Sequence, residues 1–241
     1  MKNITLVFVV FLTMLIHSFG QTKKANPYQL NIVADMEDYR KLCILDTGNR
    51  LIDLEQAIPG LKLDIRYATS NNFTHKPVYT SAHAFMRKPA ADALRQVQAE
   101  LVSRGMALQV FDAYRPYAAT LLFWDLVKDT LFVASPASGS RHNRGCAVDV
   151  TLINLKTGME LEMPTSYDAF TRAAGAFYDS ITPTARMNRG LLIEIMSKYG
   201  FRVMDSEWWH FDYQGWDRYQ LMDLSFEELL APRAAGTPSG W

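Results

Sequence analysis

The sequence predicts an α+β fold: a single domain in which a small, mainly antiparallel sheet is flanked by helices. Three observations lead there. Segments with apolar residues at helical spacing surround three β-prone stretches; one of those stretches meets a turn signal and doubles back; and no repeat, low-complexity tract or Pro/Gly/Ser-rich linker divides the body. The composition agrees, since 49% hydrophobic and 21% charged residues over 241 positions exclude a disordered or collagen-like chain. The 25 basic and 25 acidic side chains cancel, which leaves no field to draw in a phosphate backbone and excludes nucleic acid as the main partner.

Residues 1–20 read as a secretory signal: Lys2, an apolar run from Ile4 to Ile16, then a short polar stretch ending at Gly20 before Gln21. The run is short for a bilayer span, so an exported, periplasmic protein without a stable membrane span after cleavage is expected. Residues 21–50 are polar and mixed and read as an extended N-terminal arm, 51–230 form the body, and 231–241 are a Pro/Gly/Ala tail. In the body, 89–103 carries Leu94, Val97 and Leu101 at helical spacing and ends at Gly105. A second helix over 116–129 opens on Pro116, and a third over 188–199 has Leu191, Ile195 and Met196 on one face before Gly200. A further helix is expected over 167–180. Strands are expected over 107–113, 146–155 and 208–213, the second returning after Lys156-Thr157-Gly158 as another over 159–163.

Four histidines follow the signal: His75, His83, His142 and His210. Two sit in polar strings within apolar surroundings, Ser140-Arg141-His142-Asn143-Arg144-Gly145-Cys146-Ala147-Val148-Asp149 and Ser206-Glu207-Trp208-Trp209-His210-Phe211. Asp149 lies in what should be a buried strand, where a carboxylate needs a counter-charge. Taken alone, a buried pair with an arginine explains it better than a metal does, and either histidine alone reads as an ordinary satisfied side chain. Together, His142, Asp149 and His210 make a two-nitrogen, one-oxygen set that suits a single catalytic Zn2+ with one position left for water. Glu207, three residues before His210, is the candidate base. Strand alternation would point those two to opposite faces, so Glu207 is expected in a turn and only His210 in the ladder.

The pattern Ser-x-His-x-x-Gly-x-Ala-x-Asp followed by Glu-x-Trp-His-Phe resembles the D-alanyl-D-alanine dipeptidase family, the VanX-type zinc peptidases. Further matches are Asp64-Ile65-Arg66-Tyr67-Ala68-Thr69, Asn71-Asn72-Phe73-Thr74, Asp112-Ala113-Tyr114-Arg115-Pro116 and Gly215-Trp216, so the likeness spans about 50–225. The resemblance implies that His142, Asp149 and His210 hold zinc at the centre of the domain, that Glu207 is the acid/base, and that Arg115 stabilises the transition state. It places Ser140 and Asp168 at the free amino terminus of a small peptide substrate, and Tyr67, with Tyr79 beside it, in the pocket wall. Asp168 has a structural reading too, as a first-turn residue facing a helix dipole. Two positions depart from the family pattern: Pro164 stands where glycine is common, and Cys146 where a small non-thiol is usual. Cys146 alternates away from Asp149 and reads as packing or a disulfide partner for Cys43, a pairing that stays open.

The function so implied is a zinc D,D-dipeptidase acting on D-alanyl-D-alanine or related cell-wall dipeptides in peptidoglycan turnover. A D,D- or L,D-carboxypeptidase of the same zinc architecture is the alternative, and a non-catalytic zinc-dependent wall-fragment binder the third. Asp168 separates the first two, because a carboxypeptidase must leave the amino-terminal end of its site open.

Overall fold

The computed structural model describes residues 24–231. The signal at 1–20 and the tail beyond Ala231 lie outside the described residues.

The N-terminal arm is not extended. It holds strand β1 (Ile32–Val33) and helix α1 (Met36–Leu45), whose start is capped by Asp35 accepting the Glu37 and Asp38 amides. The apolar stripe that docks α1 is only Tyr39 and Cys43, four residues apart and buried, too sparse to stand out from a polar window. Strand β2 (Leu51–Asp53) and the single turn α2 (Leu54–Ala57) follow, then β3 (Lys62–Leu63) and β4 (Phe85–Arg87). Helix α3 (Lys88–Ser103) carries Pro89 in its first turn and buries Leu94, Val97 and Leu101, as the spacing predicts. Strand β5 (Met106–Asp112) leads through Tyr114-Arg115-Pro116 into α4 (Tyr117–Leu126).

Strand β6 (Ala147–Asn154) is buried from end to end except at Asn154. Its expected return over 159–163 is reduced to one bridge, Ile153 to Glu160. The helix expected over 167–180 does not form: only a 3-10 turn at Arg172–Ala174 is present, and Asp168 sits at φ 55°, a left-handed conformation no helix accepts. Helix α5 (Pro183–Lys198) starts earlier than its apolar face indicates, because Thr182 caps it and Pro183 fits its first turn. Strands β7 (Phe201–Met204), β8 (Glu207–Tyr213) and β9 (Leu221–Met222) precede the short α6 (Phe226–Leu230).

The main sheet runs β3-β5-β6-β8-β7, with β3 parallel to β5 and every other pair antiparallel. α3 packs on β5 and α5 on β7, with the two helices in contact. β1 pairs with β9, tying the N-terminal arm to the end of the domain, and β2 pairs with β4. Strand alternation turns Asp149 to the face opposite Val148 and Val150, which join the apolar core.

Candidate metal centre and active site

The sheet register builds the site. Asp112 on β5 lies opposite Asp149 on β6, and Asp149 lies opposite His210 on β8, so three polar side chains form one row across the sheet. Asp112 reaches that row through a bulge: Val110 pairs with Val150, Phe111 is skipped, and Asp112 meets Asp149. His142 arrives from a 3-10 turn that Gly145 closes at φ 70°. A Cβ on Gly145 would come within 2.8 Å of Leu51, so the chain can swing from His142 into β6 only with glycine there.

The result is a compact, buried group. Asp149 Oδ1 lies 3.3 Å from His142 Nε2 and 3.1 Å from His210 Nδ1, and those two nitrogens are 3.1 Å apart. The outward nitrogens are engaged elsewhere: His142 Nδ1 is 2.6 Å from the Ala113 carbonyl and His210 Nε2 is 3.0 Å from Asp212 Oδ1. With both ring N–H groups donated outward, the nitrogens facing Asp149 carry lone pairs in the neutral imidazoles. Asp149 Oδ2 accepts the Tyr167 hydroxyl at 3.0 Å, whereas the buried Oδ1 has no hydrogen-bond partner. Two lone pairs and an unpartnered carboxylate oxygen at this spacing call for a cation, and the group can hold a metal ion. Burial would lower the His210 pKa, yet the Asp212 and Asp149 carboxylates outweigh it and lift it to about 10. A metal ion bound there would compete with a proton on His210.

Glu207 is the first residue of β8 rather than part of a preceding turn. An irregular hairpin still gives it the orientation that alternation forbids: Val203 pairs with Phe211 but Met204 with Glu207, leaving the stretch between without partners on β7. Glu207 Oε2 stands 4.0 Å from His210 Nδ1, and burial pushes its carboxyl up to about 7, where it can both take and return a proton.

Arg115 is buried and pairs with Asp112 Oδ2 through Nη2 at 2.8 Å and Nε at 3.0 Å, its guanidinium over the Phe123 and Tyr67 rings at 4.9 and 5.4 Å. Burial alone would lower its pKa, but Asp112 more than compensates and keeps it charged. The other Asp112 oxygen accepts the Tyr79 hydroxyl and the Ala113 amide, both at 2.9 Å. Tyr79 is therefore no pocket wall; it holds the carboxylate that holds Arg115. Sequence reasoning missed this use of Asp112, as it missed Tyr167 and Asp212, because none of the three stands out until the fold brings it to the site.

Of the nine site residues singled out from the sequence, all but Tyr79 line one cavity of about 100 Å³: Tyr67, Arg115, Ser140, His142, Asp149, Asp168, Glu207 and His210. Phe73, Phe123, Phe132, Phe170 and Met204 supply apolar wall that the sequence did not reveal. Ser140 is buried, and its hydroxyl accepts the His142 amide at 3.2 Å. Asp168 accepts the Tyr67 hydroxyl at 3.0 Å, and burial raises its carboxyl well above the usual range. No helix starts beside it, so the dipole reading falls, and Pro164 has not carried it out of the cavity. Cys43 and Cys146 are buried free thiols, Cys146 pushed up to about 12 by burial, and neither joins the His–Asp–His group.

The model of the D-Ala-D-Ala dipeptidases, peptidase family M15, matches residues 47–226. The chain belongs to that family. It is 34% identical over 182 residues to the D-alanyl-D-alanine dipeptidase of Escherichia coli (strain K12), covering 76% of this chain and 94% of that one. It is 31% identical over 183 residues to the enzyme of the same name from Enterococcus faecalis (strain ATCC 700802 / V583), with 68% and 91% covered. A third dipeptidase, from Enterococcus faecium, is 30% identical over 178 residues, with 66% and 88% covered. As an M15 protein the chain is a metallopeptidase, and the matched span contains every residue of the cavity described above.

Proposed function

We propose that this M15 peptidase hydrolyses D-alanyl-D-alanine, or a closely related short cell-wall dipeptide, with one zinc ion held by His142, Asp149 and His210. The observation that carries the reading is the cavity itself. At about 100 Å³ it is far below the roughly 300–1,000 Å³ of pockets for drug-sized ligands, yet it gathers the metal group, an acid/base, a guanidinium and a second buried carboxylate. Zinc bound there would lower the pKa of water toward neutrality and polarise a peptide carbonyl.

The chain's own residues account for the rest. Glu207 takes the proton of the attacking water and returns it to the departing amine, work suited to a carboxyl near 7. Arg115, locked by Asp112 and the two aromatic rings, offers a fixed positive charge to the carbonyl oxygen as negative charge builds there. Asp168 pairs with the free ammonium, with Ser140 beside it, and Tyr67 holds Asp168 in place while walling the pocket. Phe73, Phe123, Phe132 and Phe170 limit how much water shares the space.

The decisive assay is D-alanine release by the purified full chain, from free D-alanyl-D-alanine and from a pentapeptide ending in D-Ala-D-Ala, with a chelated control. Cleavage of the dipeptide alone, lost on chelation, is expected. Preferential cleavage of the pentapeptide would instead assign a carboxypeptidase. Export to the periplasm, by way of a signal over residues 1–20, is part of the same proposal and suits peptidoglycan turnover. N-terminal sequencing of the protein from a periplasmic extract checks it, and a cytosolic chain beginning at Met1 refutes it.

A further inference from the structure

We propose that Asp212 and Arg141 form a positioning relay that sets how tightly the His142–Asp149–His210 group holds its metal. The inference rests on the metal-binding reading above and extends it to residues outside the cavity. Asp212 lies two positions beyond His210 on β8, so both side chains stand on one face of the strand. Asp212 Oδ1 is 3.0 Å from His210 Nε2, and Asp212 Oδ2 is 2.9 Å from Arg141 Nη1. Arg141 immediately precedes His142, so the ion pair ties the loop bearing one metal-facing histidine to the strand bearing the other. The Arg141 guanidinium in turn lies over the Trp216 ring at 4.7 Å. This outer end opens on a surface cavity of about 650 Å³ lined by Arg141, Asp212 and Trp216, which shares only Met204 with the lining of the substrate pocket.

The two histidines are therefore unequally supported. His142 Nδ1 hydrogen-bonds a neutral backbone carbonyl, with the Asp112 carboxylate farther off at 3.9 Å, whereas His210 hydrogen-bonds directly to a buried carboxylate that is itself anchored by an arginine. An anionic acceptor on Nε2–H fixes the ring's tautomer and angle and makes Nδ1 a stronger donor to a metal. Arg141 keeps Asp212 aimed at His210. A half-exposed ion pair with no such duty would contribute little to anything measured at the metal.

The test is zinc affinity, measured by competition with a chromophoric chelator on the purified full chain. Wild type is compared with Asp212→Asn, Arg141→Gln, Arg141→Lys and the Asp212→Asn/Arg141→Gln double variant, and each metal-free protein is also melted. Asp212→Asn retains the hydrogen bond to His210 but not the charge, and should weaken zinc binding about 10- to 100-fold. Arg141→Gln should weaken it about 2- to 5-fold, the size of a half-exposed ion pair, with Arg141→Lys recovering most of the loss. The double variant should bind zinc no more weakly than Asp212→Asn alone, as expected of links in one chain. Zinc affinity of Asp212→Asn within about twofold of wild type would overturn the relay. Should Asp212→Asn fail to fold, Arg141→Gln decides, and unchanged zinc affinity there overturns it equally. Wild type that binds no zinc would sink the metal reading as well, so the two failures are told apart.

Discussion

Asp168→Asn separates a dipeptidase from an enzyme open to longer peptides. Asp168 holds φ 55°, a conformation that asparagine tolerates better than most residues, so the exchange leaves the backbone undisturbed where alanine would strain it. The new amide oxygen can still accept the Tyr67 hydroxyl, now 3.0 Å from Asp168 Oδ2. Only the negative charge is lost. A charge-assisted hydrogen bond in a buried setting contributes about 1.5–3 kcal/mol, which at 1.4 kcal/mol per decade is a rise of about 10- to 150-fold in KM for D-alanyl-D-alanine. The kcat should change far less, since the ammonium is bound alike before and during bond breaking. The pH dependence has a definite sign. Burial, reinforced by the charge of Asp149, holds the Asp168 carboxyl well above its ordinary range. The anion that pairs with the ammonium is therefore present at high pH and lost as pH falls through the raised value, so wild-type KM climbs toward acid while Asp168→Asn lacks that climb. Initial rates of D-alanine release across pH, on the free dipeptide and its N-acetylated form, supply the readout. A wild-type KM in Asp168→Asn, or equal use of both substrates by wild type, would refute the role.

Glu207→Gln should lower kcat by about 10²- to 10⁴-fold while zinc content by metal analysis stays unchanged; retention of full activity would exclude Glu207 as the base. Removing the metal should abolish hydrolysis and lower the Tm, because a ligand at 1,000 times its Kd stabilises by about 4 kcal/mol; calorimetry with and without zinc measures the shift. Arg87 is fully buried, and its guanidinium donates to the carbonyls of Asn49, Arg144 and Gln220 at 2.5, 2.9 and 3.2 Å. Arg87→Met removes a donor from each of those carbonyls and should destabilise by about 3 kcal/mol, a Tm drop of about 6–12 °C for a domain of this size. An unchanged melting curve would show that water replaces the guanidinium at no cost.

What could be read from the sequence was what local pattern determines. The apolar faces of α3 and α5 and the β-prone runs of β5, β6 and β8 lie where spacing places them, with α5 lengthened by the Thr182 cap and Pro183. The failures share one cause, tertiary contact overriding a local period. Residues 167–180 look helical, but Tyr167 must meet Asp149 and Phe170 must stack on Phe132, and the chain turns through a left-handed Asp168 to deliver both. The N-terminal arm looks extended because two buried residues suffice to dock α1.

The site shows the same division more sharply. His142, Asp149, Glu207 and His210 were legible because their types and spacing are rare together, yet the residues that make them useful were not. Asp112, Asp149 and Asp212 are three buried carboxylates at one end of a sheet, and the sequence does not say which cation each one meets. The sheet answers with Arg115 for Asp112, the two imidazoles for Asp149, and Arg141 with His210 for Asp212. For Asp112 the answer turns on one skipped residue. Without the bulge, Phe111 would stand opposite Asp149 and Asp112 would share the face of Val110, since a one-residue slip reverses every side chain beyond it. Arg115 would then lose the carboxylate that aims it, and the Tyr79 hydroxyl would lose its acceptor. The extra residue in β5 thus puts a guanidinium, rather than an aromatic ring, beside the metal group, and the chemistry of the pocket depends on it.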